Sequence, residues 1–151
     1  MKASGFTLVE LVVTIVVVGI IAAIVGPRFI GPQTFQTRGY FDQVQSGLRY
    51  AQKTAVAKRR NICVSIAANS VTFSYAALAG STAACTLPLE GPAGETPFSL
   101  NAPTGVALAS PINVFTFEGL GRTNLAATLA ISVIGDVTRA ITVEAETGYV
   151  H

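Results

Sequence analysis

Few side chains of this 151-residue protein are of the types that do chemistry in enzymes. His151 is the only histidine, and the two cysteines, Cys63 and Cys85, are too far apart to form a C-x-x-C redox site. The glycine-rich turns lack the sequence of a phosphate-binding loop. Six carboxylates of the C-terminal region follow no spacing that would pair them: Glu90, Glu95, Glu118, Asp136, Glu144 and Glu146. The sequence therefore predicts a non-enzyme with no catalytic residue, metal site or cofactor.

One further carboxylate, Glu10, stands near the start of an apolar run from Phe6 to Val25. No charged residue occurs between Glu10 and Arg28, and a run of about 20 residues is what a helix needs to cross ~30 Å of hydrocarbon. A charge in a bilayer costs roughly 2.5–3.5 kcal/mol or more. The sequence predicts a transmembrane and assembly helix over residues 6–27, in which Glu10 must have a role.

A secretory signal that is removed is the alternative to a retained anchor. Such a signal has a short apolar region followed by a small-residue cleavage site, and the segment "VGPRFIGP" offers none. Lys2 fits retention of the N-terminus on the cytoplasmic side, with the rest of the chain exported. We favour the retained anchor.

The leader "MKASG" followed by "FTLVE" resembles the class III signal of type IV pilins and type II secretion pseudopilins. The resemblance implies a leader over residues 1–5, cleaved between Gly5 and Phe6 by the prepilin peptidase, which also methylates the new Phe6 amine. It implies helix breaks at Gly19 and Pro27, although an ordinary kink at Pro27 is equally open. Its implied partners are other pilin or pseudopilin subunits, membrane lipid and an inner-membrane assembly platform.

The resemblance also implies a role for Glu10. A neighbouring subunit would offer the Phe6 amine to its carboxylate, and one polar pair in an apolar seam fixes the register of two helices. The alternative is that Glu10 extends from the helix end to the membrane interface. We favour the pairing.

Apolar residues then recur at helical spacing at Phe41, Val44, Leu48, Ala51 and Ala55. This stripe predicts an amphipathic continuation of the helix over residues 28–60, lying on the β domain formed by residues 61–151.

The predicted amphipathic helix is strongly basic. It carries one acid, Asp42, against seven basic residues: Arg28, Arg38, Arg49, Lys53, Lys58, Arg59 and Arg60. Three interpretations are open: a solvated face, contact with acidic surfaces of neighbouring subunits, or nucleic-acid binding, the least favoured, in which Arg59, Arg60, Arg122 or Arg139 would meet phosphates. Arg28 could also contact lipid headgroups.

From Asn61 onward the apolar period becomes two. The segments "ICVSI" and "VTFSY" predict a hairpin, and "NVFTF", "LAISVI", "AITVEA" and "ETGYV" predict further strands. Residues 76–111 show little periodicity and are predicted to be mostly loop. The predicted fold class is α+β and pilin-like: a long N-terminal helix continuing as the spine of a mainly antiparallel β domain.

The C-terminal order, with "FTFEGLGR" and "ITVEAETGYVH", resembles the GspH/FimT group of minor pseudopilins and minor pilins. The segment from Arg38 to Arg60 is also similar to the spine of minor subunits of MSHA-type pili. These resemblances imply a minor subunit in the inner membrane, with one span and a periplasmic C-terminal domain, which then enters a pilus or pseudopilus. A DNA-binding minor pilin and a major or adhesive pilin are the alternatives.

In an exported domain, Cys63 and Cys85 would be oxidised to a disulfide that ties the long loop to the first strand. The chain-entropy model gives such a bridge ~3 kcal/mol of stability. Two buried free thiols are the alternative.

Overall fold

A computed structural model describes residues 7–29, 32–80 and 84–151 of the chain. In these residues two helices, α1 (Leu8–Phe29) and α2 (Pro32–Lys58), precede eight short strands. The chain divides into two compact units, Met1–Pro32 and Gln33–His151, and each is described by itself.

The first unit contains α1, a helix without a polar face. Its large apolar side chains are exposed throughout the part whose side chains are described, from Leu8 at 78% to Ile21 at 54%. The helical backbone continues through Gly19 and Pro27 and ends at Phe29. The described part of the chain contains no helix that is both long enough and apolar enough to cross a membrane. Gly5 and Phe6, the predicted cleavage site, lie outside the described residues.

In the second unit, α2 buries the predicted stripe. Val44, Leu48, Ala51 and Ala55 are fully buried, which confirms the helical period, and Phe41 is half-buried. Thr37 and Tyr40 extend the buried face toward the start of the helix. The helix begins at Pro32, where a missing N–H costs no hydrogen bond.

The first sheet is built on the predicted hairpin. Strands β1 (Ile62–Ala67) and β2 (Ser70–Ala76) pair antiparallel from Ile62↔Tyr75 to Ala67↔Ser70. Strand β6 (Val114–Phe117) pairs with the other edge of β1. Two short strands, β3 (Cys85–Pro88) and β4 (Ser99–Asn101), share the outer edge of β2.

The prediction that residues 76–111 are mostly loop was therefore incomplete. This stretch contains β3, β4 and β5 (Ala107–Ala109). Each has only three or four residues, too few to establish a period of two, and each is held by pairing with a strand elsewhere in the chain.

The second sheet has the order β5-β7-β8, with β7 at Leu129–Ile134 and β8 at Arg139–Val143. The predicted last strand is present as a short ladder on β8, where Thr142 and His151 exchange backbone hydrogen bonds of 2.7 and 3.0 Å. Side chains from α2 and both sheets form one core, including Leu48, Phe115 and Ile131. All strand pairings of the described residues are antiparallel, and the predicted α+β class is confirmed.

A disulfide joins Cys63 of β1 to Cys85 of β3, with their Cα atoms 6.0 Å apart. The predicted bridge is confirmed, and the alternative of two free thiols was wrong. Because β3 has only four residues, this covalent link fixes the strand to the sheet more firmly than its short ladder could.

Candidate functional site

The start of α1 is closed by a hydrogen bond between Thr7 and Glu10. The backbone N–H of Glu10 donates to Thr7 Oγ1 at 3.2 Å, and that of Leu11 donates to the Thr7 carbonyl at 3.2 Å. Thr7 is thus the N-cap residue, and Glu10 at the N3 position contributes its backbone N–H to the cap. This cap was not predicted from the sequence, although a Thr directly before an apolar helical run is a typical N-cap signal.

The capping arrangement leaves the Glu10 side chain exposed on an otherwise apolar helix end. A carboxylate in the first turn is favoured by the partial positive charge of the helix N-terminus. Leu8, Val9 and Leu11 around it are also exposed, at 78%, 69% and 53%. The exposed carboxylate can therefore accept a cation from another molecule.

Arg59 lies immediately after α2, at one wall of a surface groove. Its backbone is left-handed, with φ 50°, and the Arg60 N–H donates to the Ala55 carbonyl at 3.1 Å. Val56, Asn61 and Leu120 line the same groove, which has a volume of about 510 Å³. The helix end thus turns the chain into β1 and leaves Arg59 at the surface.

The other three arginines singled out from the sequence are held within the second unit. Arg60 Nη1 donates to the Ala77 carbonyl at 2.6 Å, and Arg122 Nε donates to Glu118 Oε2 at 3.0 Å. The Arg139 guanidinium lies over the Phe41 ring, 5.6 Å from its centroid. Each of these three side chains therefore already has a contact within the same chain.

These four arginines do not form one surface. Arg59 and Arg60 lie at the C-terminal end of α2, and Arg122 joins them because its partner Glu118 also lines the groove. Arg139 instead contacts Phe41, 18 residues before Arg59, a separation of about 27 Å along a helix axis. A nucleic acid that contacts all four arginines would therefore have to extend along most of the length of α2.

Tyr40 of α2 is buried, and its burial changes its acidity. Burial against the sheet raises the pKa of its phenol from 10.0 to about 12, and its hydroxyl donates to the Leu100 carbonyl at 3.2 Å.

Within residues 7–29, 32–80 and 84–151, no three potential metal ligands lie close enough to share an ion.

Comparison with known proteins gives two sequence similarities. Residues 1–26 match the family model of the prokaryotic N-terminal methylation motif. Over 71 residues, or 46% of the chain, the sequence is 38% identical to PilA5 of Thermus thermophilus, described as the major component of a type IV narrow pilus. The matched region spans 61% of that relative's length.

The fold is similar to two solved structures. The type IV minor pilin FimU of Pseudomonas aeruginosa aligns with a TM-score of 0.59 and 12% identity, over 78% of this chain and 88% of FimU. The minor pseudopilin EpsH of the Vibrio cholerae type 2 secretion system aligns with a TM-score of 0.54 and 13% identity, over 73% and 90%. At these identities the likeness establishes the fold alone.

Proposed function

We propose that the chain belongs to the type IV pilin and pseudopilin superfamily and is a structural subunit of a type IV pilus or a type II secretion pseudopilus. The observation that carries the proposal is the combination, in one chain, of the N-terminal methylation motif and a C-terminal unit of the pilin fold. The subunit has a structural role and catalyses no reaction.

Processing is the first step of the proposed function. Prepilin peptidase cuts after Gly5, which has no side chain to obstruct the bond, and methylates the amine of Phe6. Residues 6–27 anchor the product in the inner membrane, and residues 61–151 lie in the periplasm. The methylation motif over residues 1–26 supports this order of events.

Assembly follows through α1 on an inner-membrane platform. A helix whose large apolar side chains are exposed from Leu8 to Ile21 is stable only in lipid or against other apolar helices. Transfer from lipid to a bundle of neighbouring α1 helices keeps this surface out of water. Glu10 then pairs with the Phe6 amine of the adjacent subunit and sets the register, while Gly19 and Pro27 let the helix loosen.

The finer assignment is a minor subunit of the GspH/FimT type. The fold similarity to FimU and EpsH supports it. The 38% identity to PilA5, a major pilus component, favours a second candidate, a major pilin. Quantifying this chain against the other subunits in purified filaments separates the two, because a major pilin would dominate the preparation.

Nucleic-acid binding has weaker support. Arg60, Arg122 and Arg139 have partners within the chain, and Arg139 is remote from the other two. A mobility shift of DNA that weakens steeply with salt would be needed to favour it.

The proposed function is tested by shearing filaments from cells that express the chain and by purifying them. We expect the chain to co-purify with the other filament subunits. Its retention in the membrane fraction of cells that make filaments would contradict the proposal.

A further inference from the structure

The groove beside Arg59 has apolar walls that are open to solvent. Val56 is 48% exposed and Leu120, at the tip of the turn after β6, is 88% exposed. Side chains of this type on a surface groove are typical of a binding site for another molecule. The volume of about 510 Å³ suits a short peptide turn rather than a whole helix.

Two polar side chains line this groove. Asn61 is only 3% exposed and forms part of its wall. The Arg59 guanidinium is exposed and has no partner in the part of the chain that the structure describes, whereas Glu118 is engaged by Arg122. A carboxamide matches a peptide unit, and a guanidinium matches a carboxylate. The groove therefore fits a turn of peptide that carries an acid.

The same chain presents such a turn. Glu90 and Glu95 are exposed, and the sequence between residues 61 and 121 contains no lysine or arginine. The turn is compact, because the Gly91 N–H donates to the Glu95 carbonyl at 2.8 Å, and Tyr50 Oη donates to the Glu90 carbonyl at 2.9 Å. The Glu90 carboxylate itself has no partner among the described residues.

The acidic turn and the basic groove flank α2 on opposite sides. Tyr50 contacts the turn, whereas Gln52 Nε2 donates to the Gly121 carbonyl, beside the groove, at 3.2 Å. Two residues of a helix separated by one position point about 200° apart. Copies placed side by side in the same orientation therefore bring the turn of one toward the groove of the next. A contact between unlike surfaces can repeat from copy to copy, and it generates a filament where its rotation does not close into a ring.

We propose that the Glu90 turn of one copy docks in the Arg59 groove of a second copy, with the Glu90 carboxylate on the Arg59 guanidinium and the neighbouring Pro92 against Val56 and Leu120. Asn61 binds the backbone of the turn. This interface rests on the second candidate of the proposed function, a major pilin, because copies of one chain adjoin each other only where that subunit is abundant in the filament. It adds a contact between C-terminal units to the contacts made by α1. Charge favours this occupant, since the turn carries exposed Glu90 and Glu95, and Arg59 is the basic residue that lines the groove, where Glu118 is already paired with Arg122.

Disulfide cross-linking in purified filaments tests the docking. Because Cys63 and Cys85 are joined to each other, Pro92→Cys and Leu120→Cys would supply the only free thiols. We expect mild oxidation of the full-length double variant to give a ladder of dimers, trimers and longer oligomers. Ala130→Cys with Leu120→Cys is the matched control, since Ala130 is exposed on the other sheet, and should remain monomeric.

Reversing the charges of Arg59 and Glu90 provides a second test of the docking. Arg59→Glu or Glu90→Arg in the cross-linking background should reduce the ladder several-fold, and the two together should restore it. Filaments that contain the chain but give no ladder, dimers only, or a ladder unaffected by charge reversal would overturn the docking and leave the proposed function intact. Failure of the chain to enter filaments at all would overturn both.

Discussion

The backbone N–H of Glu10 donates to the hydroxyl of Thr7 at 3.2 Å, so the N-cap of α1 uses the backbone of Glu10 and leaves its carboxylate for the proposed role in filament register. Glutamine serves as well as glutamate at N3 but carries no charge. The two roles of Glu10 can therefore be separated by substitution.

We expect Glu10→Gln to preserve the start of α1 and yet to lower incorporation into filaments strongly, because the cation of the neighbouring subunit loses its partner. Thr7→Ala should instead weaken the cap by about 1 kcal/mol and retain the carboxylate. Incorporation of this variant into filaments should therefore fall only slightly. The measurement is the ratio of filament to membrane-bound protein at matched expression. Equal incorporation of Glu10→Gln and the unmodified chain would show that charge is not what Glu10 contributes.

The disulfide should be a major source of stability for the C-terminal unit. It joins residues separated by 22 positions, and replacing both Cys63 and Cys85 by Ser should lower the free energy of unfolding by about 3 kcal/mol. Urea unfolding of the purified protein measures the change, and reductant should destabilise the unmodified chain by a similar amount. Identical unfolding curves with and without reductant would contradict this expectation.

Gly148 should be far less tolerant of a side chain than Gly94, although both have positive φ angles, of +63° and +86°. A Cβ at Gly148 would collide with the carbonyl oxygen of Gly121, which Gln52 also binds, whereas a Cβ at Gly94 meets nothing within 4 Å. We expect Gly148→Ala to destabilise the protein by about 2 kcal/mol more than Gly94→Ala. Equal losses, measured by denaturant unfolding, would mean that this contact relaxes at little cost.

Tyr40 should make stability depend on pH in the alkaline range. Burial raises the pKa of its phenol to about 12 in the folded protein, above the ordinary value of 10.0, so the unfolded chain releases this proton first. The free energy of unfolding should therefore fall as pH rises from about 10 to 12. Tyr40→Phe keeps the ring in the core, loses the hydrogen bond to Leu100, and should flatten this part of the pH profile. An unchanged slope in Tyr40→Phe would assign the effect to other groups.

Long regular patterns were predictable from the sequence. The stripe of α2 repeats from Val44 to Ala55, and the alternation in the β1–β2 hairpin continues over two strands, so each pattern determines which side chains are buried. The covalent pairing of Cys63 with Cys85 was predictable because the chain has no other cysteine.

Contacts between distant segments were not predictable from local patterns. Strands β3 and β4 pair with β2, and the residues that flank them continue this pairing: the Leu89 N–H donates to the Phe73 carbonyl at 3.1 Å, and the Phe73 N–H donates to the Phe98 carbonyl at 3.2 Å. The positions of the arginines depend on similarly remote partners, as the contact of Arg139 with Phe41 illustrates. Sequence spacing alone contains no information on such pairs.

The N-terminus of the chain in assembled filaments tests the central claim most directly. Intact-mass measurement of the protein from sheared, purified filaments should find Phe6 as the first residue, carrying one methyl group on its amine. Replacing Gly5 with a bulky residue should abolish both the cleavage and the assembly. A filament-bound chain that still begins at Met1, or an unmethylated Phe6, would contradict the account.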